Sequence, residues 1–163
     1  LISTPQWVAD NREWISQMPQ RYQDAINKHE AAGTFDDPEY REAENAFYAR
    51  HMCNSGCVDR GFRDDAKSGN RDMYQTMWGP SEFTANGTLA DYDISPELHT
   101  VEVPVLMICG EYDEAAPKSC LKFAGMVNDA KTIIVPDAGH AILSEEKDLV
   151  VGSIREFLKE KLN

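Results

Sequence analysis

The fold turns on two segments, Val103-Pro104-Val105-Leu106-Met107-Ile108-Cys109-Gly110-Glu111-Tyr112-Asp113-Glu114 and Thr132-Ile133-Ile134-Val135-Pro136-Asp137-Ala138-Gly139-His140. Each opens with a short apolar run and then breaks at Gly or Pro, the pattern of a buried strand that ends in a turn. Between them, Pro117 to Val127 reads as a helix offering Leu121, Phe123, Ala124 and Val127 to a core. Strand, helix and strand in that order predict a parallel pair joined by a crossover. In open parallel sheets, chemistry gathers at the carboxyl ends of the strands. Asp113 lies just past the first strand and His140 just past the second, so an acid and an imidazole are expected at neighbouring strand ends. An acid that orients a histidine is two-thirds of a nucleophilic triad.

Downstream, Glu145 to Leu162 reads as a closing helix with Leu149, Val150, Ile154, Phe157 and Leu158 facing the core. Upstream, residues 1–100 carry helix signals and little strand signal. Thr4-Pro5 is a cap followed by Pro at the first helical position, and Trp7, Val8, Trp14, Ile15 and Met18 follow on one face. Pro19 opens a second helix, with Tyr22, Ala25, Ile26 and His29 on one face and Gly33 as its stop. Asp37-Pro38 repeats the cap-plus-Pro signal ahead of Tyr40, Ala43, Phe47 and His51. Residues 52–70 are polar and read as a loop. Asn70 is expected to cap a short helix bearing Met73 and Met77, ended by Gly79-Pro80, and Ser95-Pro96 to start another. Asn86-Gly87-Thr88 is formally a glycosylation sequon, but Asn-Gly reads as a turn with positive φ. The expected organisation is α/β, with an all-helical cap over residues 1–100 and a β-α-β-α tail over 101–163. Two parallel strands are not a stable sheet alone. The pair is therefore expected to meet strands from outside this sequence.

Cys109-Gly110-Glu111-Tyr112-Asp113-Glu114-Ala115-Ala116-Pro117 followed by Pro136-Asp137-Ala138-Gly139-His140 resembles the C-terminal third of an α/β-hydrolase, whose triad runs Ser, Asp, His in chain order. Met77-Trp78-Gly79-Pro80-Ser81-Glu82-Phe83-Thr84, Lys28-His29-Glu30-Ala31-Ala32-Gly33 and the stretch from Tyr40 to His51 resemble the cap of the proline iminopeptidase family. The resemblance covers nearly the whole chain and is weakest across residues 54–70. It implies an α/β-hydrolase fold and a serine aminopeptidase that releases an N-terminal residue, typically proline, through an acyl-enzyme. Asp113 and His140 would be the triad acid and base. Glu82 and Glu114 would bind the substrate's free α-ammonium group, since a buried cation needs paired, hydrogen-bonded anions. An internal peptide nitrogen carries no such charge, which makes the reading an exopeptidase. Taken singly, Asp113 also fits a surface turn carboxylate and Glu82 a solvated loop acid. Trp78 and Phe83 fit either a substrate pocket wall or plain packing.

No Gly-x-Ser-x-Gly elbow occurs in the sequence, and Ser55 and Ser68 lack the preceding strand and glycine. The expectation is therefore a chain that holds cap and C-terminal part, partnered by a missing N-terminal half with the serine, and inactive alone. Two other readings stay open. One is an amino-acid amidase or esterase on the same scaffold. The other is a non-catalytic interaction module that associates through its open sheet edge.

The net charge of -12, from Lys+Arg 16 against Asp+Glu 28, argues against nucleic acid or an anionic membrane as partner. No run reaches the roughly 18 apolar residues of a membrane helix, and no leader pattern is present. The expected partner is a peptide or amino-acid amide with a free N-terminus, the expected compartment cytoplasmic, and neither cofactor nor metal is called for. Cys53 and Cys57 near His51 fit a structural zinc site poorly, because no distant fourth ligand exists. They leave a local disulfide open, with reduced thiols as the default inside a cell. His29, His51 and His99 receive no role.

Overall fold

A computed structural model describes residues 1–54 and 70–162. Helix α1 spans Thr4–Ser16, and its cap is Ser3, whose hydroxyl accepts from the Gln6 amide. α2 spans Gln20–Ala32 and stops at Gly33, which adopts the left-handed conformation (φ 66°) that glycine reaches without a Cβ penalty. α3 spans Pro38–His51, with the Asp37 carboxylate accepting from the Glu39 amide. α4 spans Arg71–Met77 under an Asn70 cap. A 3₁₀ turn over Ser95–Thr100 leads into strand β1, Val105–Gly110. α5 (Pro117–Ala124) crosses to β2 (Ala130–Val135), and α6 (Ile142–Glu145) and α7 (Lys147–Leu162) close the chain. β1 and β2 pair in parallel, from Val105 opposite Ala130 to Gly110 opposite Val135.

Apolar burial follows this order. Ile15, Ala25, Ile26, Tyr40, Ala43, Phe47 and Phe83 form one cluster within the helical part. Leu98, Phe123 and Val127 form a second against Ile2, Val105 and Met107. Val135, Ala138 and Val150 form a third with Ile108 and Ile142. The two ends of the helical part meet: the Thr4 amide donates to the Tyr92 carbonyl (2.8 Å) and the Ile94 amide to the Ile2 carbonyl (2.9 Å).

Several expectations are corrected. The α1 cap is Ser3 rather than Thr4, and the most buried residues of that helix include Asp10 and Asn11 beside Ile15, while Trp7 and Trp14 are half-buried. Of the five residues assigned to the core face of the closing helix, Val150 and Phe157 are buried, but Leu149, Ile154 and Leu158 are exposed, as is Leu121 on α5. A helical stripe becomes core only where a second layer covers it, and here that layer covers part of the stripe. Gly87 does not take a positive φ. It is required by close approach, because a Cβ there would lie 2.5 Å from the Met77 carbonyl carbon and oxygen. Cys53 is disulfide-bonded, against the reduced default. Cys57, Ser55 and Ser68 lie outside the described residues, as does most of the expected 52–70 loop.

Candidate functional site

Asp113 stands three residues past the end of β1. Its carboxylate accepts from the backbone amides of Gly110 (3.2 Å) and Ala115 (2.9 Å), so the turn itself fixes the side chain. His140 stands past β2, and its Nδ1 meets the Asp113 Oδ1 at 2.8 Å. Asp113 is buried, whereas 45% of the His140 side chain is exposed. The hydrogen bond that His140 gives to Asp113 raises the imidazole pKa above its ordinary value, and burial opposes that rise. Nδ1 thus donates to the acid, and Nε2 is the ring nitrogen available for proton transfer.

Two glycines let these loops meet. A Cβ on Gly110 would lie 2.1 Å from the Gly139 carbonyl oxygen. A Cβ on Gly139 would lie 2.8 Å from the His51 carbonyl oxygen. The latter packing seats the histidine loop on the end of α3, where the His140 amide donates to the His51 carbonyl and the Ala141 amide to the Met52 carbonyl, both at 2.8 Å. These carbonyls lie at a helix terminus, where intrahelical donors run out. Gly139 is thus required by close approach.

Glu114 has no exposed surface, and neither carboxyl oxygen has a partner among the described residues. Burial first, then the charges of Glu82 and Asp113, push its carboxyl well above the usual range. Glu82 lies three residues after Gly79, which takes a positive φ of 145°, and precedes Phe83, which is wholly buried in the helical cluster. Its carboxylate accepts from the Tyr74 hydroxyl (2.6 Å), its amide donates to the Tyr48 hydroxyl (3.0 Å), and its carbonyl accepts from Trp7 Nε1 (2.9 Å). Burial raises the Glu82 pKa; the Tyr74 bond and the nearby His140 offset part of that rise. The structure therefore gathers Asp113, His140, Glu82 and Glu114 into one electrostatically connected group. A cleft of about 270 Å³, lined by Trp7, Asp10, Asp113, Ser119 and His140, opens beside the acid–imidazole pair. Glu82 and Glu114 do not line that cleft.

Sequence reasoning missed the residues that hold this group. Trp7, Asn11 and Trp14 repeat at helical spacing on α1. Asn11 Nδ2 donates to the Glu114 carbonyl (3.3 Å) and Trp14 Nε1 to the Asp113 carbonyl (2.9 Å). His51 Nδ1 donates to the Tyr112 carbonyl (2.7 Å), and burial lowers its pKa to about 4, so the ring is neutral at pH 7. The signal was present in α1 as two indoles and an amide, all donors, on an otherwise apolar face. Elsewhere, His29, Asp37 and Glu39 bring three ligand-type atoms within 4.8 Å of one another. Lys28 already occupies Glu39 there (2.5 Å), and His29 is satisfied by Thr34 and Glu39.

A scan against models of known protein families finds no match. Among curated proteins, the chain is 31% identical over 161 residues to a proline iminopeptidase of Saccharolobus solfataricus, covering 98% of this chain and 52% of that protein. It is 29% identical over 163 residues to a proline iminopeptidase of Thermoplasma volcanium, covering 99% of this chain and 55% of that protein. Among solved structures, the proline iminopeptidase of Mycobacterium smegmatis superposes with a TM-score of 0.87 at 32% identity, over 98% of this chain and 54% of that one. VinJ superposes with a TM-score of 0.86 at 29% identity, over the same shares. The chain thus spans about half the length of the curated relatives it matches. Its fold is part of an α/β-hydrolase, and the resemblance read from the sequence is to proteins named proline iminopeptidase.

Proposed function

We propose that the chain supplies the acid, the base and the amine-binding carboxylates of a serine aminopeptidase of the proline iminopeptidase type. The division of labour would follow the sequence reading, with residues 1–100 as the cap and 101–163 as the C-terminal part of the hydrolase core. The observation that carries the reading is the juxtaposition of two features. Asp113 is hydrogen-bonded to the Nδ1 of a half-exposed His140, and its sequence neighbour Glu114 is buried with both oxygens unpartnered. The first is the geometry of a general base. The second is costly unless a ligand repays it, and an ammonium group repays it best.

In this mechanism, a serine from the complementary half loses its proton to His140 Nε2 and attacks the acyl carbon of the substrate. Asp113 holds the tautomer and stabilises the imidazolium that forms. His140 then protonates the leaving amine, and a water repeats the sequence to free the amino acid. Glu82 and Glu114 hold the α-ammonium so that the scissile bond lies one residue from the N-terminus.

The test is to co-express this chain with the half of a relative that it does not cover and to assay proline arylamide. Turnover is expected, lost in His140→Ala. An N-acylated substrate should not turn over. Equal turnover of free and N-acylated substrates would overturn the carboxylate roles, and turnover indifferent to His140→Ala would overturn the hydrolase reading.

A further inference from the structure

We propose that Trp7 is a positioning residue that fixes the His140 imidazole relative to the Glu82 segment; the proposal rests on the aminopeptidase reading above. Trp7 touches both halves of the site. Its Nε1 donates to the Glu82 carbonyl at 2.9 Å. Its ring meets the His140 ring edge-to-face, with centroids 5.3 Å apart and planes at 89°. A second edge-to-face contact, 5.8 Å to Trp78, packs the indole against the start of the segment that carries Glu82. Its carbonyl accepts from Asn11 Nδ2 (2.7 Å), the same nitrogen that donates to the Glu114 carbonyl.

The need for such a residue follows from how His140 is held. One hydrogen bond at Nδ1 fixes a ring nitrogen but leaves the ring able to swing about that bond. With 45% of its side chain exposed, backbone packing does not stop the swing. An indole set perpendicular to the ring blocks it on one side. Because the same indole is pinned to the Glu82 carbonyl, the distance between base and amine site is set by one rigid side chain rather than by two loops moving separately. A misplacement of about 1 Å at a reacting group costs about a hundredfold in rate, so a rigid spacer matters here.

Two substitutions separate the functions of the ring. Trp7→Phe keeps an aromatic face toward His140 and removes the donor to Glu82. In the assembled enzyme it should raise KM for proline arylamide about tenfold, the effect of one lost hydrogen bond, and change kcat little. Trp7→Leu removes both contacts and should also lower kcat, by about ten- to a hundredfold. A merely structural role would instead reduce the folded fraction and leave KM unmoved.

The contact is also readable in the 163-residue chain without catalysis, because an imidazolium touching an indole quenches its emission. The carboxylates facing His140 are those of Asp113 and Glu82. Tryptophan emission should show a step above the ordinary imidazole pKa, absent from both Trp7→Phe and His140→Gln. The Trp14–His51 pair, 4.8 Å apart, titrates separately near the lower His51 value. Unchanged KM and kcat in folded Trp7→Phe and Trp7→Leu would overturn the proposal, as would an upper emission step that persists in Trp7→Phe. Absence of turnover by the assembled wild type would instead overturn the aminopeptidase reading, with the emission step deciding the Trp7–His140 contact on its own.

Discussion

Glu114 and His51 are both buried ionisable groups, and both are shifted toward the neutral form. For Glu114, the folded pKa lies above the unfolded one. Its contribution to stability is full below about pH 4.5, the ordinary glutamate range, and is lost as pH rises toward the folded value. Glu114→Gln should therefore stabilise the chain more at pH 8 than at pH 5, by about 1–3 kcal/mol at the higher pH, while abolishing selection for a free amine. Urea unfolding at the two pH values checks this, and a variant less stable at both would contradict it. For His51 the folded pKa lies below the unfolded one, so its contribution is full above about pH 6.5 and is lost as pH falls toward 4. Wild type should lose on the order of 3 kcal/mol across that window relative to His51→Gln, and parallel pH–stability curves for the two would refute the buried, Nδ1-protonated assignment.

At the scale of elements, what was legible in the sequence was what is encoded locally. The strand-end acid and histidine each sit on a short apolar run closed by Gly or Pro, and the caps at Asp37 and Asn70 follow from a few adjacent residues. The donors on α1 were legible as residue types, but their partners were not, because those are backbone carbonyls of distant segments that carry no sequence signature. Trp7 reaches Glu82, and Trp14 reaches Asp113. Likewise, exposure of Leu149, Ile154 and Leu158 is decided by which layers surround α7, and period alone does not say. The joint between the two strand ends gives a sharp prediction. At Gly110 the obstacle to a Cβ is the backbone of Ala138 and Gly139 rather than a flexible side chain. Gly110→Ala should push the loops apart and break the Asp113–His140 bond, at a stability cost of about 1–3 kcal/mol. The low-field Nδ1 proton resonance of His140 reports it; a resonance unchanged in Gly110→Ala would show that the joint has slack.

Across the whole molecule, apolar side chains lie exposed at Val103, Leu121, Leu143 and Leu158, while Thr4, Asp10, Asn11 and Ser119 hold buried polar atoms without partners among the described residues. Asp10 and Ser119 line the cleft beside the acid–imidazole pair. Groups of both kinds call for further contacts, and the relatives are about twice as long as this chain. Under the proposed function, the nucleophile would come from a complementary segment. The most direct measurement is intact mass after treating the assembled complex with a fluorophosphonate, which phosphonylates an activated serine with loss of fluoride. One adduct is expected on the complementary segment, none on this chain, with labelling lost in both Asp113→Ala and His140→Ala. An adduct on this chain, or labelling that survives His140→Ala, would contradict the proposed function.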